Sequence, residues 1–135
     1  MDTEASRALV LEYYRAFGKG DQAALAVILS DDVEWLPPKS APLTGGPFRG
    51  REKIQAAMLE AGARFFRMDS AKTDTLKIVA EGDTVVVRQR MSCTAANGRP
   101  YQNEYVWLFT CKDGRITRME EHTDSLYFQR VVIDP

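Results

Sequence analysis

Residues 84–124, with the sequence TVVVRQRMSCTAANGRPYQNEYVWLFTCKDGRITRMEEHTD, decide the fold of this chain. Apolar and polar side chains alternate along most of this stretch, and alternation is typical of β-strands. Ala96-Asn97-Gly98 and Lys112-Asp113-Gly114 interrupt it with residues that tight hairpin turns prefer. One more alternating run comes before it. The predicted strands are Thr75–Ala80, Thr84–Thr94, Tyr101–Cys111 and Arg115–Asp124.

The first half of the chain has helical periodicity in three segments and only one brief strand, Val33–Leu36. The predicted helices are Thr3–Phe17, Gln22–Leu29 and Arg51–Gly62. Residues 37–50 hold four prolines and three glycines, which predicts an irregular loop of the kind that often covers a site. Residues 125–135 allow a short helix or an added strand. We therefore expect an α+β domain with three N-terminal helices packed on a strongly curved, mostly antiparallel sheet, which forms a cone around one pocket.

Composition restricts the classes of function. The chain has 135 residues, which corresponds to one domain, and a net charge of −1, which provides no basic surface for nucleic acid. No apolar run reaches the roughly 18 residues of a membrane span, and no secretory leader opens the chain. We therefore expect a cytoplasmic protein with neither nucleic acid nor membrane as a partner. Cys93 and Cys111 lack metal-binding spacing and the single histidine lacks spaced partners, so we expect no metal and no cofactor.

The last predicted strand carries the candidate catalytic residues. Side chains on a strand alternate between faces, so Glu120, His122 and Asp124 share one face. A buried carboxylate and imidazole favour each other's charged forms, and histidine changes charge near neutral pH, so Asp124 and His122 are a candidate acid–base pair. The alternative is a partly exposed strand end held by a salt bridge. Alternation does not decide which face of this strand is buried, because the face with Glu121 is also mostly polar. A bulge can also switch which positions point inward.

Two other strands contribute candidate pocket residues. One face of Thr84–Thr94 is apolar except for Gln89, which needs a partner on a neighbouring strand, a buried water or a ligand. Aromatic side chains share one face of Tyr101–Cys111. Such a stripe forms a core if it faces inward and a dimer surface if it faces outward, and the sequence does not orient it.

Short motifs along nearly the whole chain resemble one superfamily. They are Tyr13-Tyr14-Arg15-Ala16-Phe17, Leu29-Ser30-Asp31-Asp32-Val33-Glu34-Trp35, Gly46-Pro47-Phe48-Arg49-Gly50-Arg51-Glu52, Gly82-Asp83-Thr84-Val85, Asn103-Glu104-Tyr105, Asp113-Gly114-Arg115-Ile116 and Glu121-His122-Thr123-Asp124. Their order and spacing resemble the SnoaL-like branch of the nuclear-transport-factor-two-like superfamily, which includes polyketide cyclases and relatives of ketosteroid isomerase and limonene epoxide hydrolase. The resemblance implies helices on a curved mixed sheet, a pocket at the wide end of the cone and a homodimer.

The acids of the isomerase-like members are not matched. Their general base falls at Pro37 and their second acid at Val106, while their helix tyrosine is matched by Tyr13. The resemblance therefore does not imply isomerase chemistry of that form.

The acids of the epoxide-hydrolase-like members correspond to Gln89, Met91 and Asp124, of which only Asp124 is charged. Asp124 also resembles the acid–base aspartate of polyketide cyclases. His122 stands where many relatives carry an aromatic residue.

The sequence thus predicts an enzyme that performs acid–base chemistry, either cyclisation, isomerisation or hydration, on a small hydrophobic carbonyl-containing substrate. The predicted catalytic residues are Asp124 and His122, and the predicted substrate-binding residues are Tyr13, Tyr14, Trp35, Gln89 and Met91. For the tyrosines and Trp35, simple core packing is the alternative. The alternative function is a non-catalytic ligand-binding or dimerisation module of the same fold.

Overall fold

The computed structural model describes residues 1–40 and 46–135 and confirms the predicted α+β class. Its helices are α1 (Thr3–Lys19), α2 (Gln22–Ile28), α3 (Arg51–Phe65) and α4 (Ser125–Phe128), the last continued by a π-helical turn, Gln129–Ile133. Its strands are β1 (Leu29–Leu36), β2 (Phe48–Arg49), β3 (Phe66–Glu81), β4 (Thr84–Ala95), β5 (Pro100–Lys112) and β6 (Arg115–Thr123). None of the helices in these ranges is long and apolar enough to cross a membrane.

The six strands form one mixed sheet in the order β2-β1-β6-β5-β4-β3. All neighbours are antiparallel except β1 and β6, which run parallel. A parallel pair needs a long crossover, because the chain must return to the same end of the sheet. Here α3 and three antiparallel strands make that return. The end of β1 therefore lies beside β6, with Trp35 next to Met119.

Local signals fix where the first two helices begin and end. The carboxylates of Asp2 and Asp21 accept hydrogen bonds from the first-turn amides of Ala5 and Ala24, at 2.8 and 3.1 Å. Gly20 ends α1 with φ +64°, a left-handed conformation that favours glycine. The buried residues of α1, among them Val10, face the core.

The core lies between the helices and one face of the sheet, which we call the inner face. Val85 and Val87 of β4, Phe109 of β5 and Met119 of β6 are fully buried on it. This confirms the predicted inward face of β4. It also orients β5, because the aromatic stripe is on the inner face and is therefore not a dimer surface.

Several predicted boundaries were wrong. The strand predicted over Thr75–Ala80 is the end of the sixteen-residue β3, whose first half is polar and largely exposed. Register shifts between Arg67 and Lys72 and between Thr75 and Lys77 interrupt its pairing with β4, which hides the alternation from a sequence reading. Of the predicted loop 37–50, Phe48 and Arg49 form β2, and residues 41–45 lie outside the described ranges.

The C-terminal segment, for which the sequence allowed two structures, is helical. Arg99 Nη1 donates to the backbone carbonyls of Arg130, Val131 and Asp134, at 2.8–3.2 Å. Asn97 Nδ2 donates to the carbonyl of Val131 at 2.8 Å. The hairpin turn between β4 and β5 therefore holds the end of the chain against the sheet.

The orientation of β5 predicts a sharp contrast between two adjacent substitutions. We expect Phe109→Ala to lower the free energy of unfolding by about 3–5 kcal/mol, because the fully buried ring leaves a cavity. Thr110→Ala, on the opposite face, should cost less than about 1 kcal/mol. Urea unfolding of both variants measures the difference. Equal costs would contradict the assigned faces.

Candidate active site

A small cavity opens between the inner face of the sheet, α3 and the C-terminal helix. Its volume is about 100 Å³. Most of its walls are aromatic or aliphatic, and a few polar groups from β5, β6 and α4 enter it. The lining residues are Trp35, Pro38, Ala61, Phe65, Phe66, Tyr105, Glu121, Thr123, Ser125 and Phe128. We call it the inner cavity. Its character, apolar walls with few polar groups, is typical of small-molecule sites.

A wider hollow of about 840 Å³ adjoins the inner cavity. The two share Pro38, Glu121, Thr123 and Ser125. The hollow also borders Lys39, Ser40 and His122, and we call it the outer hollow. Glu121 thus borders both a small apolar cavity and a wider hollow with many polar residues.

The inward direction of Glu121 results from one extra residue in β6. Thr110 pairs with Arg118, but the next residue of β5, Cys111, pairs with Ile116, so Thr117 is left over as a bulge. Ile116 and Met119 are consequently both fully buried, although they lie three positions apart. From Met119 onward, the odd positions point inward and bring Glu121 to the cavity.

Trp35 holds the Glu121 carboxylate in place. The Trp35 Nε1–H donates to Glu121 Oε1 at 3.1 Å, from the neighbouring strand β1. The indole is 4% exposed and stacks on Phe48, with ring centroids 5.2 Å apart. An oriented indole donor partly offsets the cost of placing a carboxylate among apolar side chains.

The inner cavity shifts the protonation of Glu121. Burial disfavours the charged form and raises the pKa of Glu121 from 4.5 to about 7, although the hydrogen bond from Trp35 opposes this shift. A carboxyl group with such a pKa exists in both protonation states near neutral pH. It can therefore accept a proton and return it, as general acid–base catalysis requires.

A second polar group reaches the inner cavity from β5. The hydroxyls of Tyr101 and Tyr105 lie 2.7 Å apart, and Asn103 Nδ2 donates to the Tyr101 hydroxyl at 2.9 Å. Tyr101 and Tyr105 are 2% and 8% exposed, and only Tyr105 lines the cavity.

The structure does not bring the predicted catalytic pair together. His122 is exposed on the outer face of the sheet, next to the outer hollow. The Asp124 carboxylate accepts from the backbone amide of Tyr127 at 3.0 Å and caps α4. Within the described part of the chain, no hydrogen bond or ion pair joins the two side chains, and neither lines the inner cavity. Their catalytic role stays a prediction.

The predicted substrate-binding residues have different positions. Trp35 lines the inner cavity, as expected for a pocket wall. Gln89 and Met91 lie on the inner face of β4, paired with Tyr105 and Asn103. Tyr13 is 5% exposed and packs against Phe109, with ring centroids 5.5 Å apart.

Three buried polar atoms near this face have no hydrogen-bond partner in residues 1–40 and 46–135. They are Gln89 Oε1, Tyr14 Oη and Trp107 Nε1. Trp107 is the register partner of Val87 on β4 and of Glu121 on β6. A partner for Gln89 on a neighbouring strand, one of the expected alternatives, is therefore not present among the described residues. A buried water or a ligand remains.

Glu121 and Tyr105 were missed as site residues in the sequence. Counting outward from Ile116 places the even positions inside and points to Glu120, His122 and Asp124. The signal that favours Glu121 is Met119, the last large apolar side chain before the carboxylates, because it shares the parity of Glu121. Tyr105 was recognised only as a member of an aromatic stripe.

A helix-covered mixed sheet around an apolar cavity with one carboxyl group defines a nuclear-transport-factor-two-like domain, as the sequence resemblance implied. Residues 10–119 match the family model of the SnoaL-like domain, and the chain belongs to that family.

Known relatives support this assignment. An uncharacterized protein of Mycobacterium tuberculosis is 31% identical over 124 residues, which cover 90% of each chain. An NTF2-like protein of unknown function from Burkholderia pseudomallei has a TM-score of 0.84 at 23% identity over 96% of this chain and 98% of that one. A structure from Jannaschia described as a SnoaL-like polyketide cyclase has a TM-score of 0.83 at 19% identity over 98% and 94%. The two structural likenesses establish the fold.

The raised pKa of Glu121 predicts a pH-dependent stability. The native state keeps the Glu121 proton up to about pH 7, whereas the unfolded chain releases it near 4.5, so the free energy of unfolding falls as the pH rises between these values. We expect Glu121→Gln to be more stable than the unsubstituted protein at pH 8, by roughly 1–3 kcal/mol. The difference should vanish near pH 4.

Urea unfolding at pH 4 and pH 8 checks this expectation. Glu120→Gln, which removes the same charge from the outer face, is the matched control for a general effect of net charge. Parallel stability profiles for Glu121→Gln and the unsubstituted protein would contradict the raised pKa.

Proposed function

We propose that this protein is an enzyme that binds a small hydrophobic carbonyl compound and uses Glu121 to transfer a proton to and from it. The observation that carries the proposal is the Glu121 carboxyl group, which borders an apolar cavity and accepts a hydrogen bond from Trp35. Aldol-type cyclisation, double-bond isomerisation and hydration of a conjugated double bond all move a proton at the carbon next to a carbonyl group. The chemistry needs no cofactor.

Physical chemistry supports a catalytic carboxyl group in this environment. The aromatic walls of the inner cavity and the burial of Glu121 reduce the solvation of its carboxylate, so its basicity is higher than at the protein surface. A base whose pKa lies near the working pH combines a useful fraction of the ionised form with a useful affinity for protons. Glu121 meets this requirement.

The inner face of β4 supplies further ligand contacts in this proposal. Gln89 and Met91 are the register partners of Tyr105 and Asn103 on the inner face, and Trp35 lines the inner cavity from β1. The unpartnered polar atoms of Gln89 and Tyr14 are available for hydroxyl or carbonyl groups of the ligand. Tyr13 contributes indirectly in this proposal, because its ring packs against Phe109 on the inner face.

Similar proteins support a small-molecule function. TerC, which has a TM-score of 0.83 at 23% identity over 96% of this chain and 99% of that one, was co-crystallised with polyporic acid. By analogy, we propose that the cavity of this protein also holds an organic ligand. An analogy of fold does not identify the reaction.

The second candidate is a non-catalytic ligand-binding module. It is favoured by the residues that stand at the acidic positions of the family's enzymes, namely Pro37, Met91 and Val106. Val106 pairs with His122 on the outer face, so no acid from that position reaches the inner cavity.

Exchange of carbon-bound hydrogen separates the two candidates. We expect the protein to accelerate deuterium incorporation next to the carbonyl of hydrophobic ketones such as 2-tetralone in D₂O, as followed by proton NMR. Glu121→Gln should slow the catalysed exchange by about 10²–10⁴-fold. The rate should rise with pH through about 7, because the ionised carboxylate is the base.

Two further variants make the assignment specific. Asp124→Asn keeps the helix cap, because asparagine caps as well as aspartate, and His122→Ala changes an exposed side chain. Both should retain exchange activity. Loss of activity in these variants, with Glu121→Gln unaffected, would favour the Asp124–His122 pair. Binding of ketones without any exchange would favour the non-catalytic module.

We further propose that the protein forms a homodimer through the outer face of the sheet. Val79, Val86 and Leu108 are register partners and make an apolar row across β3, β4 and β5. Val79 is 50% exposed. A continuous apolar row on an open sheet face is suited to a second copy of the same surface.

Light scattering after size exclusion tests the dimer. We expect twice the mass of one chain for the unsubstituted protein and the mass of one chain for Leu108→Glu, because the introduced charges would face each other across the interface. Lys112→Glu, at the exposed end of the same strand, should remain dimeric. A monomeric unsubstituted protein would refute the interface.

A further inference from the structure

We propose that a second cavity, separate from the inner cavity, binds a small uncharged aromatic molecule. This cavity lies between α1, α2 and α3, beside the start of β3, and its volume is about 230 Å³. We call it the helix cavity. The side chains on which the proposal depends are Phe17 of α1, Leu25 of α2, Met58, Leu59 and Gly62 of α3, and Met68 of β3.

The helix cavity is independent of the inner cavity and is larger. Helix α3 contributes to both, with Ala61 and Phe65 at the inner cavity and Met58 and Gly62 at the helix cavity. Within the described part of the chain, the two cavities have no lining residue in common. A ligand of the helix cavity is therefore not a substrate for Glu121, and the proposal does not depend on the catalytic role of that residue.

The helix cavity has a buried floor and an exposed rim. Leu25 and Ile54 are buried, whereas Phe17, Leu59 and Met68 are exposed. These three large apolar side chains remain in contact with water around a concave surface. An apolar molecule that covers them removes apolar area from water on both partners, which favours binding.

The polar side chains of the helix cavity favour an uncharged small molecule. In residues 1–40 and 46–135 they are those of Tyr13, Gln22 and Gln55, and none is charged. Gln55 Nε2 already donates to Gln22 Oε1 at 2.9 Å. A charged ligand would lose hydration without gaining an ion pair. A peptide segment would bring more backbone N–H and C=O groups than these side chains can bind.

The walls of the helix cavity suit an aromatic ring. Met58 and Met68 contribute thioether sulfurs, and Phe17 contributes a ring. Sulfur makes favourable contacts with aromatic rings, and unbranched methionine side chains adapt to the shape of a guest. Apolar cavities of about 150 Å³ hold benzene. The volume of the helix cavity therefore suits a molecule of one or two rings.

Gly62 keeps the helix cavity open towards β3. A Cβ atom at this position would lie 3.3 Å from Met68 Sδ, so any larger side chain would occupy the cavity. Glycine within a helix is less favourable than alanine, because it has more conformational freedom to lose on folding. Position 62 therefore combines a cost to α3 with space for a ligand.

Methionine methyl signals in NMR spectra test the proposal. Met58 and Met68 line the helix cavity, whereas Met91 and Met119 lie on the inner face of the sheet. We expect toluene to shift the methyl signals of Met58 and Met68 in a saturable manner and to leave those of Met91 and Met119 unchanged. Benzoate, which carries a carboxylate in place of the methyl group of toluene, should not shift the signals of Met58 and Met68.

Substitutions at adjacent positions of α3 separate the two cavities. Gly62→Leu should weaken toluene binding by at least about 10-fold, because its side chain fills the space that toluene would occupy. Ala61→Leu is the matched control, since it adds the same side chain at the inner cavity and should leave toluene affinity unchanged. Leu59→Gln alters an exposed residue of the rim, so it should fold normally and weaken binding by about 3-fold. Circular dichroism confirms that each variant is folded.

Four results would overturn the proposal. They are an absence of toluene-dependent shifts at Met58 and Met68, equal shifts with benzoate, equal toluene affinity in Gly62→Leu, and shifts of these signals with protein concentration alone. The last result would mean that a second copy of the chain covers the cavity. The exchange of ketone hydrogens is a separate readout, because Gly62→Leu should retain it whether or not toluene binds.

Discussion

One extra residue in β6 determines what faces the interior of this protein. Because Thr117 is left over between the pairs Thr110–Arg118 and Cys111–Ile116, the side chains beyond it exchange faces. Met119 then completes the core, Glu121 enters the cavity and His122 turns outward. The parallel pairing of β1 with β6 depends on the same register, since it places Trp35 beside Met119 and lets its indole reach Glu121. A slip by one position would bury His122 and expose Glu121.

Much of the fold was accessible from the sequence because its signals are local. Alternation identified β4, β5 and β6, and helical spacing identified α1, α2 and α3. The polar first half of β3 could not be recognised from the sequence, because its own residue pattern does not indicate a strand. Pairing with β4 holds it in the sheet. The sequence reading placed Glu120, His122 and Asp124 on one face with Ile116 for a related reason. The alternation of side chains between the two faces was counted from Ile116. A bulge depends on how two strands pair, so the sequence of β6 alone does not reveal it.

The carboxyl group in the cavity opposes the stability of the fold. Burial disfavours its charge and the indole of Trp35 offsets this only in part, so the native state loses stability as Glu121 ionises. Departures from the best local choice of residue are expected where a protein acts on a ligand. Of the six buried side-chain polar atoms without a hydrogen-bond partner in residues 1–40 and 46–135, those of Tyr14, Gln89 and Trp107 lie near the same inner face, and the other three belong to Ser6, Ser30 and Arg118.

The inner cavity combines two groups whose protonation responds differently to the same burial. Desolvation moves the pKa of Glu121 towards neutrality, because the carboxylate is charged when it loses its proton. It moves the pKa of Tyr105 away from neutrality for the same reason. One environment therefore makes the carboxyl group exchange its proton and makes the phenol retain it. A single apolar cavity can in this way hold a carboxyl group that exchanges its proton near neutral pH beside a phenol that keeps its own.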